Sequence, residues 1–141
     1  MATPPSPDPA TDVRSMPFGT GSLLMQMLWG ILFAAWNFRG LSLIAHHEAP
    51  IGPDASMTTA LMAIGLIVAL MVAAKRSAPA YGAASVLVLG VAAWSAFGEL
   101  SADGGQWASD SARITALGLN AIGILGAALA LTSLLRRRRA D

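Results

Sequence analysis

The chain has 141 residues, of which 55% are hydrophobic and 12% are charged, and its formal net charge is +1. So much apolar sequence in so short a chain leaves no room for a separate water-soluble domain. The absence of cysteine excludes disulfides, thiolate metal sites and a cysteine nucleophile.

The N-terminal segment, residues 1–17, contains five prolines and no apolar run. Because such a segment can neither continue a helix nor bury a core, we expect a disordered cytoplasmic tail there. A secretory signal peptide opens instead with basic residues, followed by a short apolar stretch and a small-residue cleavage site. The first apolar run is therefore expected to remain as a membrane helix.

Four apolar runs make up the predicted membrane domain, residues 18–135. They cover residues 23–45, 57–74, 81–97 and 114–135. At 1.5 Å per residue these runs reach about 26 to 35 Å, close to the roughly 30 Å hydrocarbon core of a bilayer. Short connections favour antiparallel packing of consecutive helices. The sequence therefore predicts an all-α, integral membrane four-helix bundle with up-down-up-down topology.

Basic residues indicate the orientation. Lys75 and Arg76 lie in the second junction and four arginines occupy residues 136–139, whereas the first and third junctions are acidic or neutral. Basic residues near the ends of spans stay on the cytoplasmic side. We expect a multi-pass protein of the bacterial cytoplasmic membrane, with both termini, including the basic tail 136–141, in the cytoplasm. Four arginines beside a membrane helix supply charge without a reading element, so no nucleic-acid partner is expected.

An internal repeat is visible when the sequence is shifted by 58 residues. The first helical hairpin then aligns with the second without a gap, and an AAWxxxG motif begins at both Ala34 and Ala92. The alignment predicts tandem duplication of a two-helix hairpin.

Small residues four apart recur in the second span of each predicted hairpin. Gly65 and Ala69 align with Gly123 and Ala127. In lipid, helices associate where small residues let the backbones approach. These two pairs are expected to pack in the bundle interior or against a partner.

Polar residues within the spans form a candidate intramembrane cluster of Asn37, Arg39, Glu99 and Asn120. Arg39 and Glu99 fall at similar depth in the repeat alignment, so they are expected either to pair or to reach headgroups and solvent separately. Asn120 lies well inside the last span, where it is expected to hydrogen-bond between helices, with a ligand contact as the alternative.

Two adjacent histidines, His46 and His47, follow the first span and are weak candidates for a metal site. Neighbouring helical residues point about 100° apart, so both could bind one ion only with help from another residue. We expect exposed, titrating side chains, with periplasmic sensing as a third and weaker functional hypothesis. No metal and no cofactor are predicted.

No phosphate-binding loop, metalloprotease or hydrolase motif is present in the sequence. We therefore expect a small non-catalytic inner-membrane protein that acts as an accessory, assembly or interaction subunit. Its partners would be the lipid bilayer and either another membrane protein or a second copy of itself. The alternative is a small oligomeric transporter or channel for an apolar or cationic solute, with the polar cluster lining the path.

Overall fold

The computed structural model describes residues 19–53 and 55–139, and within them the chain forms four α-helices and no strand. The helices are α1 (Thr20–Ala45), α2 (Met57–Arg76), α3 (Ala78–Ser101) and α4 (Asp110–Arg138). A short 3-10 turn, Gly104–Gln106, lies between α3 and α4. The prediction of an all-α fold with four apolar helices is confirmed. The tail predicted at residues 1–17 lies outside the described residues.

The four helices are 26, 20, 24 and 29 residues long, and each is apolar enough to cross a membrane. Large apolar side chains cover their outer faces, among them Leu61, Leu87 and Leu125, which are 57%, 57% and 56% exposed. A contiguous surface of this kind is unfavourable in water and favourable in hydrocarbon. The architecture is that of a multi-pass membrane protein.

Serine residues begin three of the four helices. Ser56, Ser77 and Ser109 each accept a hydrogen bond from the backbone N–H three residues later, at 3.3, 3.3 and 3.1 Å. These hydroxyls satisfy backbone donors that a helix start leaves unpaired. Ser77 also ends α2, so a single residue separates α2 from α3. Pro79 lies in the first turn of α3, where a missing N–H costs little.

The helices pack in a ring in which α1 and α3 each contact both α2 and α4. The largest fully buried aromatic and aliphatic side chains within this ring are Trp29, Tyr81, Leu70 and Val88. Most other core positions are alanine, so the helices lie close together around a few bulky side chains.

Several polar side chains lie inside this bundle, while many leucines lie on its outer faces. Gln26, Ser85 and Asn120 are fully buried. A polar group in hydrocarbon needs a hydrogen-bond partner, and another helix is the nearest source of one. The bundle therefore differs from a water-soluble one in its apolar outer faces and in the polar side chains within its apolar core.

Candidate functional site

A hydrogen-bond network centred on Asn120 joins three helices. The indole Nε1 of Trp29 donates to Asn120 Oδ1 at 3.2 Å. The Asn120 amide Nδ2 then donates to Glu99 Oε1 at 2.8 Å and to Ser95 Oγ at 3.0 Å. Asn120 therefore links α4 to both α1 and α3, as expected of an amide inside a membrane bundle.

The local sequence places each member of this network. Ser95 and Glu99 are four residues apart on one face of α3, and the Ser95 hydroxyl donates to Glu99 Oε1 at 3.4 Å. Trp29 reaches α4 because Gly123 leaves room for the indole: a Cβ at that glycine would lie 2.7 Å from the ring. The Phe33 ring stacks on Trp29 with centroids 5.2 Å apart and holds the indole from the other side.

The Glu99 carboxyl group is only half satisfied. Oε1 accepts hydrogen bonds from Asn120 and Ser95, whereas Oε2 is buried and accepts none from the described residues. A buried carboxyl oxygen without a donor is unfavourable by about 1 to 3 kcal/mol, and by more when the group is charged. Glu99 Oε2 therefore joins Gln26 Oε1, Ser85 Oγ and Trp107 Nε1 as a buried polar atom without a partner among the described residues.

Glu99 lines a cleft of about 260 Å³ at the distal end of the bundle, the end where α1 and α3 finish and α2 begins. Polar side chains and aromatic rings both contribute to its lining. The lining residues are Phe33, Asn37, Pro53, Thr59, Met62, Val91, Trp94, Ser95, Gly98 and Glu99.

Asn37 lines the same cleft, but its amide is already engaged by the backbone. Nδ2 donates to the carbonyl of Phe33 at 2.9 Å, and Oδ1 accepts from the backbone N–H of Ser56 at 3.2 Å. Asn37 thus holds the start of α2 against α1 and forms part of the wall of the cleft. The structure brings Asn37, Glu99 and Asn120 of the predicted cluster to one region.

Arg39 does not join them. Its side chain is exposed, and no ion pair with Glu99 is present in the described part of the chain, since Glu99 bonds to Asn120 and Ser95. Residues two apart on a helix point about 200° apart, so the burial of Asn37 turns Arg39 toward the outside. The expected ion pair between Arg39 and Glu99 is therefore absent from the described residues. Arg39 follows the alternative expectation, in which its side chain extends away from the bundle without Glu99.

The histidines lie at the end of α1 and are both exposed. His46 Nδ1 lies 2.7 Å from the carbonyl oxygen of Ser42. His47 has a φ of 59°, and the backbone N–H groups of His47 and Glu48 bond back to α1, so His47 takes the position that glycine usually fills at a helix end. Across residues 19–53 and 55–139, no three His, Cys, Asp or Glu side chains group as a metal site would require.

A second polar cluster, which the sequence did not reveal, lies near the starts of α1 and α3. Gln26 Nε2 donates to the Tyr81 hydroxyl at 3.0 Å and to the Ser22 carbonyl at 3.3 Å. The Ser22 and Tyr81 hydroxyls lie 3.2 Å apart, within hydrogen-bonding distance. Two features of the sequence point to this cluster: Gln26 is an amide in an apolar run, and Tyr81 is the sole tyrosine.

The connections at the distal end contact each other. The backbone N–H of Ala108 donates to the Ile51 carbonyl at 3.1 Å. The Trp107 ring covers Gly52 so closely that a Cβ there would lie 2.5 Å from it. These contacts join the α1–α2 connection to the α3–α4 connection beside the cleft.

The two pairs of small residues have different surroundings. Gly123 and Ala127 are buried, with Gly123 against Trp29. Gly65 and Ala69 are exposed, and no described atom outside the local helix backbone lies within 4 Å of a Cβ built on Gly65.

No protein-family model matches this sequence, and no curated protein and no solved structure is significantly similar to it.

Proposed function

We propose that this protein is a small non-catalytic subunit of the bacterial cytoplasmic membrane that associates with a membrane-protein partner or with a second copy through α2. The observation that carries the proposal is the outward position of Gly65 and Ala69. Small residues four apart permit close approach of another helix, and a lipid chain gains nothing from them. The space beside Gly65 is open to such a helix.

The interior supports an interaction role over a conducting one. Trp29 and Tyr81 are fully buried on the bundle axis, and the hydrogen bonds of Asn120 and Gln26 run between helices. A path for a polar solute needs polar groups free to face it at several depths. In this bundle Asn120 and Gln26 hold the helices together instead.

The proposed topology is up-down-up-down with both termini in the cytoplasm. It is supported by contacts between α1 and the region of α2: Gly30 approaches Ile67, while Gly40, later in α1, approaches Ala55, which precedes α2. The orientation rests on the basic residues at 75–76 and 136–139. A reporter fused to the C-terminus should be active only in the cytoplasm, and activity on the far side would contradict this orientation.

Crosslinking tests the association. The native chain has no cysteine, so Gly65→Cys and a control, Gly118→Cys, each introduce one thiol on an exposed helix position. Treatment of native membranes with a maleimide–benzophenone reagent, followed by illumination, should give a larger species for Gly65→Cys and not for Gly118→Cys. A band of twice the mass would identify self-association, and another mass would identify a partner. A monomer for both variants would contradict the proposal.

The second candidate function is a small oligomeric transporter or channel for an apolar or cationic solute. The cleft beside Glu99 favours it, because a carboxyl group with a free oxygen opens a polar site at one end of the bundle. Solute flux into liposomes should fall for Glu99→Gln and persist for Asp103→Asn, an exposed carboxylate in the α3–α4 connection. Equal flux for both variants would remove this candidate.

A further inference from the structure

We propose that the distal cleft binds a small protonated amine with an apolar substituent, using Glu99 as its counter-ion. The inference deepens the second candidate function by naming the binding site and the ligand class. It concerns binding alone, so it stands or falls separately from transport and from association through α2.

The first argument is the unmet hydrogen-bonding capacity of Glu99. Asn120 and Ser95 orient the carboxyl group through Oε1, while Oε2 is buried without a donor among the described residues. An ammonium group supplies both a donor and the opposite charge, and such charge-assisted bonds are the strong ones in proteins. Because Asn120 and Ser95 donate to Oε1 alone, Oε2 is the oxygen to which the ammonium group of a ligand would donate.

The second argument is the lack of a basic side chain that would serve as an internal counter-ion. Arg39 is exposed on α1, away from the carboxylate. Arg113 of α4 comes near the same turn of α3, but its guanidinium donates to the Leu100 carbonyl at 3.2 Å. In the described residues, neither arginine forms an ion pair with Glu99. A ligand can therefore supply the counter-charge to an ionised Glu99.

The third argument is the chemistry of the walls. Phe33 and Trp94 present aromatic rings to the cleft, and Met62 and Val91 add apolar surface. Aromatic faces attract cations, and the thioether and aliphatic groups suit a hydrocarbon substituent. A fully hydrated inorganic ion would gain little from these walls, whereas an alkylammonium ion matches both the carboxylate and its surroundings.

The fourth argument is size and access. A cleft of about 260 Å³ is slightly smaller than the sites that hold drug-sized molecules, which begin at about 300 Å³. It lies at the end of the bundle, where Pro53 and Gly98 form part of its rim and Trp94 is 79% exposed. A small amine can therefore reach the cleft from the end of the bundle.

Calorimetric titration of hexylammonium chloride into the full chain in phosphatidylcholine nanodiscs tests the proposal, with empty nanodiscs to subtract partitioning into lipid. We expect saturable binding by the native chain. Glu99→Gln should raise the Kd about 10- to 100-fold, because it removes a charged partner and keeps the acceptor for Asn120. Asp103→Asn removes the same charge outside the cleft and should leave the Kd unchanged.

Hexanol and sodium chloride separate the chemical alternatives. Hexanol should bind at least about tenfold more weakly than hexylammonium, since it carries no charge. Equal binding of hexanol would identify a merely apolar site and overturn the proposal. Competition by sodium at equal concentration would identify an inorganic cation site and would also overturn it.

A second variant keeps the test decisive if Glu99→Gln does not fold. Trp94→Leu changes an exposed wall of the cleft, and we expect it to raise the Kd about 2- to 5-fold through loss of a cation–π contact. Phe97→Leu removes an exposed ring of the same helix that does not line the cleft and should have no effect. Native affinity in Trp94→Leu, or no binding by the native chain, would overturn the proposal.

Discussion

The helices α2 and α4 carry the same small-residue pair at positions 58 residues apart, yet the pair faces outward in α2 and inward in α4. Gly123 and Ala127 of α4 face the interior, and Gly123 receives the Trp29 indole. Gly65 and Ala69 of α2 face outward, and α2 instead buries a different face. The buried residues of that face are Ala60, Ala63, Leu66, Leu70 and Ala73.

The spacing of residues along a helix sets which of them share a face, while the neighbouring helices set where that face points. Asn120 lies three residues before Gly123 and must reach a hydrogen-bond partner, so it draws this face of α4 inward. Met62 occupies the aligned position in α2 and is 43% exposed. Without an amide to satisfy at this position, α2 buries Leu66 and Leu70 instead.

The first spans of the two hairpins behave alike, in contrast to the second spans. Ala34 and Ala92 align and are both buried, whereas Ala35 and Ala93 align and are both exposed. These aligned residues of α1 and α3 thus share their orientation toward the core, whereas the aligned small residues of α2 and α4 do not.

The largest predicted effect separates the two glycines. Gly123→Val should lower the free energy of unfolding by about 3 kcal/mol or more, because the new side chain must displace the buried Trp29 indole. Gly65→Val should change it little, since the position is open. SDS-induced unfolding in mixed micelles measures both. Equal destabilisation by the two substitutions would contradict the assigned faces.

The next test asks whether the first spans are truly alike. Ala34→Leu and Ala92→Leu should each cost about 1 to 3 kcal/mol through overpacking. Ala35→Leu and Ala93→Leu, their exposed neighbours, serve as controls and should be nearly neutral. The same unfolding assay applies. A large loss in the free energy of unfolding for only one of Ala34→Leu and Ala92→Leu would contradict the similarity between α1 and α3.

Removing the amide tests why α4 turns inward. Asn120→Leu should cost about 1 to 2 kcal/mol, because it breaks the bonds to Trp29, Ser95 and Glu99 and leaves buried polar groups unpaired. Met62→Leu is the matched control in the aligned position of α2 and should be neutral. The tryptophan fluorescence, to which Trp29 contributes, should shift in Asn120→Leu. A free energy of unfolding equal to that of Met62→Leu would argue against the role given to Asn120.

The smallest expected effect concerns the polar cluster near the starts of α1 and α3. Tyr81→Phe removes the hydroxyl that accepts from Gln26, and we expect a loss of about 0.5 to 1.5 kcal/mol. The loss should be modest because Gln26 Nε2 also donates to the Ser22 carbonyl. Tyr81 aligns with Leu23 when the sequence is shifted by 58 residues, so α1 has no tyrosine at the corresponding position. An unchanged free energy of unfolding would show that the bond from Gln26 to Tyr81 adds nothing.

Several parts of the fold are readable from the chain alone. Runs of apolar residues predict four membrane-length helices, because hydrophobic length is a local property that needs no knowledge of the partner. Serine before each of three helices and Pro79 in a first turn are local signals of the same kind. The sequence shows that Asn120 needs a hydrogen-bond partner inside the membrane, but it does not identify that partner.

The tertiary structure alone decided which side of each helix faces inward. In water a charged face and an apolar face mark the orientation of a helix, but here both the core and the surroundings are apolar, so that pattern is missing. The fit of Trp29 over Gly123, the bond from Asn120 to Glu99 and the outward turn of Arg39 depend on residues far apart in the chain. Sequence therefore determined the length and number of the helices, and contacts of shape and hydrogen bonding determined their rotation.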